Sequence, residues 1–179
     1  TNALNQSETK LYDARFGTLT SLTGPNALAT TWTYDSFGRK TRENRVDGTY
    51  TTWTYKLCTD VGANCPATVG PASVIWVSTE QSFAVNLAVN SPEKRQYFDT
   101  LNRVVRTQSQ GFDGTVAAPT LVQDVEYTNL GQVKHQSNWY ALASGTPVWT
   151  EFTYDVQGRT LTESHPDAVA VGGIATTTW

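Results

Sequence analysis

The chain has 179 residues, of which 39% are hydrophobic and 16% charged, so both classes fall below the usual globular share. Its formal net charge is −3 and no basic stripe runs along it, which argues against a nucleic-acid partner. No apolar run is long enough to span a bilayer, and no charged-then-apolar signal peptide opens the chain. Thr is the commonest residue and Met is absent. Thr, Val, Tyr and Trp suit a pleated, half-buried surface, and Glu, Lys and Leu never gather at helical spacing, so an all-β domain is expected.

Residues 1–10 carry no pattern and read as a partial strand or a ragged start. Leu11, Tyr12 and Asp13 then open a first hairpin, whose turn through Gly17 is one residue longer than those that follow and calls for a bulge. A return strand over 18–23 ends at the Gly24-Pro25-Asn26 reversal. The second hairpin is the most explicit stretch. In Thr31-Trp32-Thr33-Tyr34-Asp35, Trp and Tyr share one face and the threonines the other. Asp35 opens a type I turn by accepting from the amides ahead of it, Gly38 closes it at positive φ, and Arg39 starts the return. Asp47-Gly48 makes the next reversal.

A third unit begins at Thr51-Thr52-Trp53-Thr54-Tyr55, but Lys56 stands where Asp is expected. The segment 56–91 reads as an insert. It contains a Gly-, Asn- and Asp-rich loop bracketed by Cys58 and Cys65, then a pair of strands at 72–79 and 82–89. A disulfide across the loop is preferred to free thiols, and zinc lacks further ligands nearby. The phrase resumes at Phe98-Asp99 with Asn102-Arg103, where Asn takes the left-handed position that Gly fills elsewhere. Gly111-Phe112-Asp113-Gly114 is read as a further reversal. Tyr127 with Gly131, and Tyr154-Asp155 with Gly158-Arg159, supply the last two copies. The closing Thr176-Thr177-Thr178-Trp179 matches the lead-in to Tyr34 and Tyr55, so the chain reads as a fragment of a longer array, 1–179, cut at both ends.

A phrase copied this often is a building unit. Tyr34-Asp35 with Gly38-Arg39, Tyr154-Asp155 with Gly158-Arg159, the worn copies and the Asp-Gly reversals together resemble the YD-repeat, or Rhs, family. That resemblance implies antiparallel hairpin repeats forming a curved or spiralling sheet, part of a larger shell. It further implies a secreted or cell-surface bacterial protein whose wall encloses a toxin cargo. Some relatives release cargo by aspartate autoproteolysis, but no stretch here matches the region responsible, so no protease role is carried over.

No enzyme, cofactor or metal site is expected. The Tyr-Asp pair looks like a dyad, yet its repetition assigns Tyr to packing and Asp to a turn, since an active site is rarely copied along a chain. Arg39, Arg103 and Arg159 are expected to reach carboxylates or aromatic faces of neighbouring repeats. Asp124 and Glu126 share a strand face and read as solvated or shell-lining. His135 and His165 are isolated in sequence. The partners expected are therefore neighbouring repeats and an enclosed toxin. The alternative is a binding module whose exposed aromatics meet a glycan or cell surface, and open sheet edges would permit an edge-strand dimer.

Overall fold

The computed structural model describes residues 6–111, 118–166 and 174–179, and the regular structure among them is entirely β-strand. The strands run β1 (Thr9–Tyr12), β2 (Leu19–Thr23), β3 (Ala29–Tyr34), β4 (Lys40–Asn44) and β5 (Tyr50–Leu57). They continue with β6 (Thr68–Val69), β7 (Ala72–Phe83), β8 (Lys94–Asp99), β9 (Val104–Gln110) and β10 (Thr120–Tyr127). The last are β11 (Val133–Ser137), β12 (Tyr140–Ala141), β13 (Trp149–Tyr154), β14 (Thr160–Pro166) and β15 (Ile174–Thr178). Two compact units divide the chain, Thr1–Tyr55 with Thr79–Glu93, and Lys56–Ser78 with Lys94–Trp179. Strands β5 and β7 each contribute residues to both.

The first unit is a meander in which each of β1 to β5 pairs antiparallel with the next. Gly38 sits at φ 77°, and its amide donates to Asp35 O at 3.1 Å while the Asp35 amide donates to Arg39 O at 2.9 Å. Tyr34 pairs with Lys40 but Thr33 with Arg42, so the return strand carries one extra residue. The same shift falls just before Tyr12, where the bulge was expected. The unit's aromatic contacts are local: Tyr50 stacks on Phe83 with centroids 4.8 Å apart, and the Arg42 guanidinium lies over Tyr50.

The segment 72–89 differs from the expected strand pair. Residues 72–83 form one twelve-residue strand, and the chain then reverses through 84–88, with the Ala84 amide bonded to Ala88 O. The alternation of Phe83, Val85, Leu87 and Val89 suggested a second strand. Beyond Phe83, however, those side chains are exposed, Leu87 takes φ 66°, and only an isolated Phe83–Val89 bridge forms.

The second unit runs β8, β9, β10, β11, β13, β14, β15 in antiparallel neighbours, with β12 also on β10 and β6 on β7. Every fully buried apolar side chain among the described residues belongs here. Val69, Val74, Val77, Tyr97, Val105 and Ala63 form one cluster, with Cys58, Cys65 and Tyr127 packed against it. Its hairpins at Phe98, Tyr127 and Tyr154 all repeat the register shift seen before Tyr34. Of the reversal expected at 111–114, only Gly111 lies within the described residues.

Candidate functional site

The repeated residues converge on two linked features, a clamp inside each turn and a joint to the next strand. In the clamp, Asp35 Oδ1 accepts from the Phe37 and Arg39 amides at 2.9 Å, and Oδ2 accepts from Arg39 Nε at 2.7 Å. Asp155 makes the same three bonds with Gln157 and Arg159, and Asp99 makes them with Leu101 and Arg103. Asn102 takes φ 62°, as Gly38 does at its turn. At Asp13 the turn is longer, Gly17 bonds back across it, and the clamping guanidinium comes from Arg15. Thr128 replaces Asp in the turn that ends at Gly131, and its hydroxyl accepts from the Gln132 amide alone, at 3.2 Å.

These carboxylates sit below their ordinary range. At Asp35 and Asp99 burial opposes the charge, but two amides and a guanidinium outweigh it. At Asp13 the Arg15 guanidinium lowers the pKa to about 2. Lys56 has no such carboxylate, and Asp60 takes over by accepting from the Leu57 amide at 2.8 Å. The loop it shapes is closed by a disulfide between Cys58 and Cys65.

The joint was not visible in the sequence. The Tyr34 hydroxyl donates to Leu19 O at 2.6 Å, Tyr55 to Lys40 O at 2.9 Å, Tyr127 to Val104 O at 2.8 Å and Tyr154 to Val133 O at 2.7 Å. Each acceptor is the first residue of the preceding return strand. Two of these rings also receive a guanidinium: Arg39 lies 4.3 Å from the Tyr55 centroid and Arg103 lies 4.5 Å from that of Tyr127. The expected arginine contacts therefore divide. At Arg39 and Arg103 the carboxylate belongs to the arginine's own turn and the nearer aromatic face to the following strand, whereas Arg159 meets Asp155 of its own turn. Burial raises the phenol pKa of Tyr34, Tyr55 and Tyr127 above the ordinary 10.0. Phe98 has no hydroxyl to donate. It stacks instead on Trp76 at 3.8 Å, and Trp76 Nε1 donates to Asn102. Tyr12 is largely exposed, and no described strand precedes it.

Other residues considered for chemistry are engaged in cross-strand contacts. Asp124 is not a solvated wall residue. It is 5% exposed, pairs in bidentate fashion with Arg106 at 2.6 and 2.7 Å, and accepts from the Tyr140 hydroxyl at 2.6 Å. His135, isolated in sequence, lies between two carboxylates, with Nδ1 at 3.1 Å from Glu126 and Nε2 at 3.2 Å from Glu151. Trp32 donates to Glu43, Lys40 lies over Trp53, and Trp149 tilts against His135. Trp139 and Trp179 are the more exposed indoles. No group of His, Cys, Asp and Glu able to hold a metal occurs among the described residues.

The family model described as RHS Repeat matches residues 12–50, the span of the first two clamps. No curated protein matches the chain. Solved structures that are similar include the crystal structure of TcdB2-TccC3 without its hypervariable C-terminal region, at 14% identity and TM-score 0.42, covering 98% of this chain. A second is the crystal structure of TcdB2-TccC3-TEV, at 16% identity and TM-score 0.35, covering 91%. This chain spans only 9% and 10% of those two chains. The RHS Repeat model covers 39 of the 179 residues, and over that segment the chain is similar to the RHS-repeat family.

Proposed function

We propose that this chain is a structural wall segment of an RHS-type array that encloses a toxin polypeptide and acts by containment rather than catalysis. The observation that carries the reading is the joint: the hairpins at Asp35 and Asp99 are each clamped by their own Asp and fastened by the tyrosine of the next strand. A unit built this way gains stability from its neighbour, as stacked repeats do. On this reading residues 1–179 are one stretch of array and 56–91 an insert in it. Tyr12, Tyr34 and Tyr154 with their turn aspartates, and Tyr127 with Gly131, are wall-builders. The Cys58–Cys65 bond fits an oxidising, extracellular setting. Four of the six tryptophans that a sugar platform would use already contact other side chains of the sheet.

Limited proteolysis of the full-length parent polypeptide tests the containment. A segment enclosed by the wall should survive protease while the wall is intact and be digested once mild denaturant opens it. Digestion of every other segment at the same rate before and after opening would contradict the reading.

A further inference from the structure

The Tyr34 and Tyr154 hairpins have the same length and register, so each is a control for the other. In the first, Trp32 pairs with Glu43 across β3 and β4; in the second, Phe152 pairs with Glu163 across β13 and β14. Glu43 is saturated by its own hairpin. Trp32 Nε1 donates to Oε2 at 2.9 Å, Arg45 Nε lies 3.1 Å from Oε1, and Lys40 Nζ lies 3.7 Å from Oε2. All three donors are replaced in the second hairpin: Phe152 stands for Trp32, Thr160 for Lys40 and His165 for Arg45. Glu163 accordingly makes no hydrogen bond or ion pair with any described residue. Every replaced position lies within β13 or β14, so the vacancy is written into the hairpin itself.

The open carboxylate lines a groove of about 400 Å³ that crosses β10, β11, β13 and β14. Gln136 pairs with Thr150, and Phe152 lies two residues on from Thr150, so these side chains share one face with Glu163. Gln136 and Thr150 also have no hydrogen-bond partner among the described residues. At the far edge Asn138 keeps its NH2 free while Oδ1 accepts from the Val148 amide, and Gln123 keeps Oε1 free while Nε2 donates to Ser137 O. No Lys or Arg lines the groove. Lys134 on β11 makes no ion pair with Glu163, and residues 167–173 contain neither Lys nor Arg.

We propose that this groove binds an extended polypeptide through an arginine side chain seated between Glu163 and Phe152. Charge complementarity selects the arginine. A guanidinium donates to both carboxylate oxygens at once and lies against the Phe152 ring, doing alone what Trp32, Arg45 and Lys40 do together for Glu43. An ammonium is a point charge with no flat face to lay on the ring. The side-chain amides of Gln123, Gln136 and Asn138 supply donors and acceptors for the main chain beside the arginine. From β10 to β14 is about 14 Å at the usual strand spacing, which is the length of about four extended residues. The proposal stands on the comparison of the two hairpins and not on what the array encloses.

The test is an NMR titration of the chain at neutral pH with the peptide acetyl-Gly-Arg-Gly-Gly-amide, beside the same peptide carrying citrulline. Citrulline keeps the shape of the side chain and removes its charge. Saturable shifts at the Phe152 and Glu163 amides are expected with the arginine peptide, and citrulline or Glu163→Gln should weaken binding about tenfold or more. A second variant, Thr160→Lys with His165→Arg, rebuilds the arrangement around Glu43 and should block the peptide while the amide spectrum of β8 and β9 stays unchanged. Equal binding of the two peptides, full binding by the refilled variant, or no saturable shift at Phe152 and Glu163 overturns the proposal. Shifts at those amides that follow protein concentration without peptide would give the groove to a second copy of the chain, and overturn it as well.

Discussion

Replacing Asp99 by Asn separates the clamp's charge from its shape. The variant keeps an oxygen for the Leu101 and Arg103 amides but turns an NH2 toward the Arg103 guanidinium. The bonds lost are those from Arg103 Nε at 2.8 Å and from its terminal nitrogen at 2.6 Å. Hydrogen bonds to a charged partner are worth roughly 1.5–3 kcal/mol each, and two made by one guanidinium do not add fully, so a loss of about 2–3 kcal/mol is expected. The Asp99 side chain is 4% exposed, so water recovers little of that loss. For a chain of this length, about 1 kcal/mol lowers Tm by roughly 2–4 °C, which gives a drop on the order of 5–10 °C. Asp35 makes the same bonds but is 20% exposed, beneath an arginine 43% exposed, so Asp35→Asn should cost distinctly less. Circular dichroism melts at neutral pH, paired with amide exchange at Leu101 and Phe37, compare the two. Equal effects, or a larger effect at Asp35, would refute the burial reasoning.

The lowered carboxylates make the fold acid-sensitive. Asp13, Asp35, Asp47, Asp99 and Asp155 all bind protons less readily folded than unfolded, so their contribution is complete above the ordinary 3.8. It is lost as pH falls toward about 2, the value at Asp13, and urea midpoints measured across that range should decline. The raised phenols act in the opposite direction: the contribution of Tyr34, Tyr55 and Tyr127 is complete below pH 10.0 and lost as pH rises beyond it. Tyr127→Phe removes one hydroxyl bond while leaving the ring over Arg103, and denaturation should register about 1 kcal/mol. Asp124→Ala leaves Arg106, 14% exposed, without its partner, and should cost about 3–5 kcal/mol. Replacing Arg106 and Asp124 together with apolar residues of similar volume should cost far less than either alone.

What the sequence disclosed was local. Asp35, Gly38 and Arg39 act within five residues of one another, so their spacing announces the turn, and an all-β array of hairpins follows from its repetition. The joint was hidden because each tyrosine bonds a backbone carbonyl. Leu19, Lys40, Val104 and Val133 share no side-chain chemistry that could mark them. Arg106 and Asp124 lie 18 residues apart, and only strand register brings them together. The strand pair expected at 72–79 and 82–89 fails because alternation looks the same in a paired strand as in an exposed reversal. Leu87 at positive φ gives no warning, since a residue of that kind rarely adopts it.

The clamps at Asp35 and Asp99 are held in part by the strand that follows each of them. Hydrogen exchange on Tyr127→Ala tests this directly, because Tyr127 is distant in sequence from the 99–103 turn yet bonds Val104 O and covers Arg103. Faster exchange is expected at the Leu101 and Arg103 amides, with the Gln157 and Arg159 amides of the Asp155 turn unchanged. Unaltered protection at Leu101 and Arg103 would contradict it.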